Sequence, residues 1–344
     1  MRLMRHSTRG PAAVAILAAV CLIAAGCSSS SDQPRTGKGS NDLVSSVDTM
    51  FGTVAVPKPK GRNLRVVALG WSDAETALAL GVKPVAVYDW LGFGEKAKGV
   101  GPWATQLFGS ETPVVMKNVN QSINYEQIQS LKPDLILNVN SAGDKKQFER
   151  LSSIAPTVYA PKGANPYGLG WRAETSTVSK ALGKDDEGAA LVDGIDAQIA
   201  AAKTAHPEFA GLTAVAGAKA GDAYGATLPG DPRWDLLSSL GFEQPAAIPA
   251  LGRQMSFSAV VPAEKITALD ADVTVLFAIG FTLDQLKSDP LVRSLPVVED
   301  GRAVFLDPTG DIATAFSVGS VLSLPVALQK LVPLLADAAA KVKR

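Results

Sequence analysis

Apolar residues along this chain follow two repeating patterns, and each pattern predicts one type of secondary structure. Short apolar runs rich in branched side chains, as at residues 64–69 and 135–139, are typical of strands buried on both faces of a sheet. Between such runs, residues 125–131 and 145–154 have the apolar spacing of amphipathic helices. Because strands and helices alternate, we expect an α/β protein with parallel, doubly wound sheets.

The middle of the chain, residues 171–203, is mostly helical, and Gly183 divides it into two predicted helices. The second helix, residues 185–205, would be about 30 Å long at about 1.5 Å per residue. Strand–helix alternation resumes after it, so the long helix separates two regions of similar design.

An internal repeat relates these two regions. Glu126-x-Ile128-x-x-Leu131-x-x-Asp134-Leu135 recurs as Glu264-x-Ile266-x-x-Leu269-x-x-Asp272-Val273. In both copies the Glu lies in the first helical turn, where the helix dipole favours it, and a turn then leads into a buried strand. We therefore expect two lobes, residues 61–170 and 207–344, joined by a linker helix region over residues 171–206. Ligands of such sheets bind beyond the carboxyl ends of the strands, which here would face a cleft.

The N-terminus has the layout of a secretory signal. Arginines at positions 2, 5 and 9 precede an almost unbroken apolar run over residues 11–26, which is short for a membrane-spanning helix. The following segment, Ala24-Ala25-Gly26-Cys27, resembles a bacterial lipobox, which implies cleavage before Cys27 and lipid attachment to its sulfur.

This resemblance implies a lipoprotein signal peptide over residues 1–26 and a mature protein anchored to the outer face of the cytoplasmic membrane. Residues 27–60 are rich in Ser, Asp, Gly, Lys and Pro, so we expect a flexible tether there, with an edge strand near residues 51–56.

The composition argues against several kinds of chemistry. Lys and Arg together number 33, as do Asp and Glu, so the chain has no net positive charge that would favour binding to nucleic acid. The mature chain keeps Cys27 as its single cysteine, which leaves no internal disulfide and no thiolate metal site. It keeps His206 as its single histidine, which disfavours Ser-His-Asp catalysis, zinc hydrolysis and direct capture of bare iron. We therefore expect no catalytic residues of these kinds and no intrinsic cofactor or metal.

Several short segments, taken in order, resemble class III, or cluster A, substrate-binding proteins of ABC importers. They are Arg65-Val-Val-Ala-Leu-Gly, Ala79-Leu-Gly-Val-Lys-Pro-Val85, Tyr125-Glu-Gln-Ile-Gln-Ser-Leu-Lys-Pro-Asp-Leu-Ile136, Leu151-Ser-Ser-Ile-Ala-Pro156, Leu240-Gly-Phe242 and Leu295-Pro-Val-Val-Glu-Asp-Gly-Arg302. The resemblance runs from about Asn63 to the C-terminus and points to ferric-siderophore binders, especially those for ferric enterobactin and carboxymycobactin.

The resemblance implies two Rossmann-like lobes joined by a single long helix. It also implies a monomeric receptor that binds a ferric siderophore in the inter-lobe cleft and delivers it to an ABC permease and its ATPase. Haem, with Tyr167 or Tyr224 as the axial ligand, and a corrinoid are alternative cargoes in the same fold. An enzyme and a structural lipoprotein of the cell envelope are the alternatives outside this role.

Three groups of residues at strand ends or in loops are candidates for ligand binding. Flat rings suit a large chelate, and the candidates are Trp71, Trp90, Trp103, Tyr224 and Phe281. Amides can donate and accept hydrogen bonds, and the candidates are Asn120, Asn138 and Asn140. A guanidinium would hold an anionic chelate, and the candidates are Arg233 and Arg253. Core packing, turn formation and solvation, respectively, are the alternative roles for these groups.

The resemblance also implies that one exposed Glu on each lobe docks onto permease arginines. Glu126 and Glu264 match by position. Stabilisation of the helix N-terminus would also account for both residues.

Overall fold

The computed structural model describes residues 42–117, 122–253, 255 and 257–343. Asn120, Cys27 and the signal peptide therefore lie outside the described residues. The described chain opens with an antiparallel hairpin of β1 (Leu43–Thr49) and β2 (Gly52–Pro57). The expected flexible tether over residues 27–60 is thus corrected at its end, because Val47 and Val56 are buried in the core of the N-terminal lobe.

The N-terminal lobe contains a sheet of five parallel strands. The strands are β3 (Val66–Ala68), β4 (Ala86–Asp89), β5 (Val114–Lys117), β6 (Leu135–Asn138) and β7 (Thr157–Tyr159). The helices are α1 (Asp73–Ala79), α2 (Pro102–Thr105), α3 (Tyr125–Ser130) and α4 (Lys145–Ser152), with short 3-10 helices at Glu95–Ala97 and Gln106–Phe108. The spatial order is β5-β4-β3-β6-β7, so the winding reverses between β3 and β6. Ligands of doubly wound sheets bind at such a switch point, beyond the carboxyl ends of these two strands.

Two helices connect the lobes, α5 (Trp171–Ala181) and α6 (Asp185–Ala205). Gly183 separates them at a φ of +65°, where a Cβ would also lie 2.9 Å from the carbonyl oxygen of Val44. Val178 of α5 packs in the N-terminal core, whereas Ile195 of α6 packs in the C-terminal core. Trp171, the first residue of α5, also packs in the C-terminal core, so α5 contacts both lobes.

The C-terminal lobe contains a second sheet of five strands, in the order β10-β9-β8-β11-β12. The strands are β8 (Ala214–Ala220), β9 (Ala223–Thr227), β10 (Ser258–Val261), β11 (Val273–Ile279) and β12 (Ala303–Phe305). The helices are α7 (Pro232–Leu240), α8 (Ala247–Ala250), α9 (Leu283–Ser288), α10 (Pro290–Arg293), α11 (Pro296–Glu299), α12 (Asp311–Val318) and α13 (Leu324–Ala339), with 3-10 helices at Pro207–Phe209 and Ala263–Leu269.

The prediction of two α/β lobes is confirmed, with one correction to the second sheet. β8, β11 and β12 run parallel, but β9 pairs antiparallel with both β8 and β10. In the part of the chain that the structure covers, no helix has both the length and the apolar character needed to span a membrane.

Candidate functional site

A cavity of about 670 Å³ is lined by residues of both lobes. The N-terminal lobe contributes residues that follow β3, β4, β6 and β7, namely Trp71, Ser72, Trp90, Leu91, Asn140 and Tyr167. The C-terminal lobe contributes residues around the carboxyl end of β11, at the start of α7 and just before β10, including Asp231, Arg233, Phe257, Phe277, Ile279 and Phe281. The cavity thus lies at the switch point of the first sheet, where doubly wound folds bind ligands.

Three aromatic rings form a stack on the N-terminal wall. Trp71 lies in the middle, with its ring centroid 4.4 Å from that of Trp90 and 4.1 Å from that of Tyr167. Phe257 of the C-terminal lobe meets Trp71 edge-on at 6.1 Å. Tyr167 has a φ of +53°, uncommon for a residue with a side chain, and its N–H donates to the carbonyl of Ser141. The stack offers a large rigid apolar face with little rotamer entropy left to lose on binding.

The backbone beneath this stack is fixed by Asp73, the first residue of α1. Its carboxylate accepts from the N–H of Val139 at 2.7 Å and of Asn140 at 3.2 Å. Trp71 N–H donates to the carbonyl of Asn140 at 2.9 Å, which ties the end of β3 to the end of β6. Gly70 permits this arrangement, because a Cβ there would lie 2.3 Å from Asp73 Oδ2. The main-chain groups of Asn140 are thus occupied, while its side-chain Oδ1 is buried without a hydrogen-bond partner among the described residues.

A polar cluster beside the cavity connects the lobes. Ser72 has a φ of +70° and its hydroxyl donates to the carbonyl of Val318 in the C-terminal lobe. Glu75 accepts from Gly101 N–H, from Trp103 Nε1 and from the Ser320 hydroxyl, the last again across the lobes. The segment Ser72-Asp73-Ala74-Glu75 has the sequence of a capping box, but the Ser72 side chain makes no cap to α1. The side chains of Ser72 and Glu75 instead form hydrogen bonds with the C-terminal lobe.

Burial perturbs three carboxyl groups in this region. It raises the pKa of Asp73 to about 7, against the effect of three backbone N–H donors. It also raises the pKa of Glu75, and it raises that of Glu174 well above the usual value, helped by the neighbouring Asp73 charge. Thr76 of α1 donates to Glu174 of α5 at 3.1 Å, so the cluster extends into the linker helices.

On the C-terminal wall, Arg233 and Asp231 form an ion pair with each other. Arg233 Nε lies 2.8 Å from Asp231 Oδ1, and Nη2 lies 2.6 Å from Oδ2. The guanidinium also lies over the Phe277 ring, 4.7 Å from its centroid. Asp231 additionally caps α7, where it accepts from the Arg233 backbone N–H. This geometry holds the guanidinium flat against the wall.

Five of the residues singled out in the sequence line the cavity. They are Trp71, Trp90, Asn140, Arg233 and Phe281. Tyr167, named as a haem ligand, also lines it, and burial raises the pKa of its hydroxyl.

Four other candidates do not line it and are corrected here. Trp103 donates its indole N–H to Glu75 at 2.7 Å, and Asn138 is buried within β6, where its amide donates to Gln147. Tyr224 is packed in the C-terminal core and donates its hydroxyl to Asp289 at 2.8 Å, while Arg253 is exposed. Trp103, Asn138 and Tyr224 do not reach the cavity because their side chains are packed inside their own lobes, whatever their position relative to a strand end.

Two apolar cavity residues, Met255 and Phe257, were not expected from the sequence. They precede β10, a strand of four residues that the pattern does not predict, so no strand end pointed to them. Ile279, by contrast, is the last residue of β11, so the expectation that ligands bind beyond strand ends could have identified it from the sequence. It is 55% exposed in the structure.

Glu126 and Glu264 are both exposed in the first turn of their helices. α3 lies between the parallel strands β5 and β6, and the Ala263–Leu269 helix lies between β10 and β11, which run in the same direction. Each Glu therefore stands near a carboxyl edge of its sheet, the edge that faces the cavity.

Comparison with known proteins gives consistent matches. The family model described as periplasmic binding protein matches residues 66–309. The Fe(3+)-citrate-binding protein YfmC of Bacillus subtilis (strain 168) is 26% identical over 304 residues, 88% of this chain and 90% of that protein. The probable siderophore-binding lipoprotein YfiY of the same strain is 28% identical over 314 residues, 86% of this chain and 89% of that protein.

A solved structure with a bound ligand is also similar. Streptococcus pneumoniae TIGR4 PiaA in complex with ferrichrome has a TM-score of 0.70 and 27% sequence identity. The match covers 87% of this chain and 99% of that one. The fold is therefore similar to that of a protein whose structure was solved in complex with ferrichrome.

Proposed function

The chain belongs to the periplasmic binding protein family, and on that premise we propose that it is the extracytoplasmic substrate-binding component of an ABC importer for a ferric siderophore. The cavity carries this proposal. Its aromatic stack lies on the N-terminal wall and its apolar side chains come from both lobes, and together they suit a large chelate that already encloses its iron. The protein would bind the chelate through rings and amides, deliver it to a permease and perform no chemistry on it.

Lipid attachment at Cys27 is the second part of the proposal. The lipobox-like segment supports it, and YfiY, a relative of similar length, is described as a lipoprotein. The mature protein would then lie on the outer face of the cytoplasmic membrane. Metabolic labelling with a radioactive fatty acid should mark the wild-type protein but not a Cys27→Ala variant. Equal labelling of both would exclude this anchor.

Glu126 and Glu264 are the proposed contacts to the permease. Both are exposed and both stand near the carboxyl edges of the two sheets, on either side of the cavity. A permease that spans the cleft could contact both lobes at once and separate them to release the ligand.

Tryptophan fluorescence tests the binding function directly. Trp71 and Trp90 line the cavity, whereas Trp234 is buried in the C-terminal core, so a bound ferric chelate should quench the first two. Titration with ferrichrome, ferric enterobactin, ferric citrate and haem should give saturable quenching with at least one ferric chelate. Trp90→Phe should reduce the quenched fraction, and the matched core variant Trp234→Phe should not. No saturable quenching with any member would contradict the proposal.

Haem is a second candidate because Tyr167 lines the cavity. The raised pKa of its hydroxyl opposes the phenolate form that an axial ligand requires. A Soret shift on addition of haem that disappears in Tyr167→Phe would favour haem over a siderophore.

A further inference from the structure

The described residues that line the cavity have no net charge. Among the described residues that line it, Asp231 and Arg233 carry full charges, and they form an ion pair with each other. The residues between 42 and 343 that the structure does not describe are Asn, Val, Gln and Ser, so they add no charge. Lys219, the cation near Phe281, is paired with Asp289 at 2.7 Å, and neither lines the cavity.

Arg233 is not free to receive an anionic ligand. The carboxylate of Asp231 engages two of its nitrogens, and the side chain of Asp231 is only 2% exposed. A ligand carboxylate or catecholate that took over the guanidinium would leave Asp231 buried without its counter-ion, which is strongly unfavourable. The pair therefore presents the ligand with an already neutralised guanidinium.

The rest of the wall favours an uncharged ligand for the same reason. It consists mainly of aromatic and aliphatic groups, with uncharged polar side chains that include Thr282, Gln285, Thr314 and Ser317. A net negative charge moved from water into such a cavity loses hydration without gaining a counter-charge.

Asn140 adds a specific polar requirement. Its buried Oδ1 has no hydrogen-bond partner among the described residues, although its main-chain N–H and carbonyl are both bonded. A buried acceptor without a partner is costly, so a ligand that supplies an N–H donor gains from pairing with it. Amide N–H groups on a chelating ligand can meet this requirement.

Building on the ferric-siderophore function proposed above, we infer that this cavity selects iron(III) chelates of zero net charge that carry amide N–H groups. Ferric tris-hydroxamates have this character, because their three hydroxamate anions cancel the charge of iron(III). Ferric tris-catecholates and ferric citrate remain anionic, so they would enter the cavity with uncompensated charge.

The test compares ferrichrome, which is neutral, with ferric enterobactin, which is anionic, by isothermal titration calorimetry. The wild-type protein should bind ferrichrome at least about tenfold more tightly. Asp231→Asn keeps a side chain that can cap α7 and releases the Arg233 charge into the cavity. This substitution should shift the preference toward ferric enterobactin by about tenfold or more, as expected for one added charge near a bound anion.

Asp289→Asn is the matched control, because Asp289 also caps a helix and pairs with a cation of the same lobe but does not line the cavity. It should leave the preference unchanged. Wild-type binding in about 0.05 M and about 0.5 M NaCl is a second test that needs no variant. Ferrichrome affinity should change by less than about twofold, whereas a site that relies on charge should weaken clearly.

The outcomes separate the two proposals. Failure of every ferric chelate to bind would overturn the proposed function itself. Binding of ferric enterobactin as tight as that of ferrichrome, or a ferrichrome affinity that falls steeply with salt, would overturn charge selection while leaving a siderophore receptor. An equal shift in Asp231→Asn and Asp289→Asn would also overturn it, since the pair on the cavity wall would then have no special role.

Discussion

Loss of the Ser320 hydroxyl should weaken the contact between the lobes by an amount that a double-mutant cycle isolates. Ser320, 1% exposed, donates to the carboxylate of Glu75, which is 3% exposed and lies in α1 of the other lobe. Gly101 and Trp103 supply the other two donors of this carboxylate. The perturbation is therefore one hydrogen bond to a buried charged group, with its neighbours left in place.

The expected magnitude follows from the geometry. A hydrogen bond to a charged group contributes about 1.5–3 kcal/mol to stability. Ser320→Ala also removes two bonds within its own turn, from the N–H groups of Leu322 and Ser323, which are unrelated to Glu75. The coupling energy between Ser320→Ala and Glu75→Leu, which removes the acceptor, cancels those local losses and should be about 1.5–3 kcal/mol.

Equilibrium urea unfolding at about pH 8, followed by fluorescence and circular dichroism, measures the four proteins of the cycle. Burial raises the pKa of Glu75, so an alkaline buffer favours its ionised form, which is the stronger acceptor. Thr274→Val is the matched control, since its buried hydroxyl donates to Leu269 within the C-terminal lobe. Its coupling to Glu75→Leu should be below about 0.5 kcal/mol, and a similarly small value for Ser320→Ala would refute the inter-lobe bond.

Three further predictions address transport, binding and pH dependence. Glu126→Ala combined with Glu264→Ala should abolish uptake of a radioactive ferric siderophore by cells while leaving its affinity in solution unchanged; normal uptake would contradict permease docking. Trp71→Ala removes the middle ring of the stack and with it apolar surface of the cavity wall that a ligand would cover, so ferrichrome affinity should fall about fivefold or more in calorimetry. Burial raises the pKa of Asp73 from 3.8 to about 7, so the native state binds this proton more tightly than the unfolded state. The resulting stabilisation is complete below about pH 4 and is lost as the pH rises to about 7, by about 4 kcal/mol in all. Urea unfolding across this range should show a larger loss for the wild-type protein than for Asp73→Asn, which keeps the buried carboxyls of Glu75 and Glu174, and parallel curves for the two proteins would contradict it.

The fold was accessible from the sequence wherever local pattern and tertiary role agree. β6 and β11 are continuous apolar runs because both sheet faces are covered, and the same pattern precedes each strand in the internal repeat. β9, with the sequence Ala-Tyr-Gly-Ala-Thr, has little intrinsic strand preference. It is a strand because β8 and β10 pair with it on either side, which local sequence does not reveal.

The candidate site shows the same contrast between positions that local sequence predicts and positions that tertiary contacts determine. The expectation that ligands bind beyond the carboxyl ends of strands located Trp71, Asn140 and Phe281, because strand order alone fixes where those positions lie. That expectation could not distinguish these cavity residues from Tyr224, whose ring packs in the core of the C-terminal lobe. Local motifs were misleading at Ser72 and Glu75, whose partners Val318 and Ser320 lie 246 and 245 residues away in the sequence.

A crystal structure of the ferrichrome complex, with anomalous scattering recorded at the iron absorption edge, tests the central claim most directly. The account predicts an iron peak inside the cavity, with every iron ligand supplied by the chelate and with the chelate in contact with Trp90 and Phe281. An iron atom bound by a protein side chain, or a chelate located outside this cavity, would contradict it.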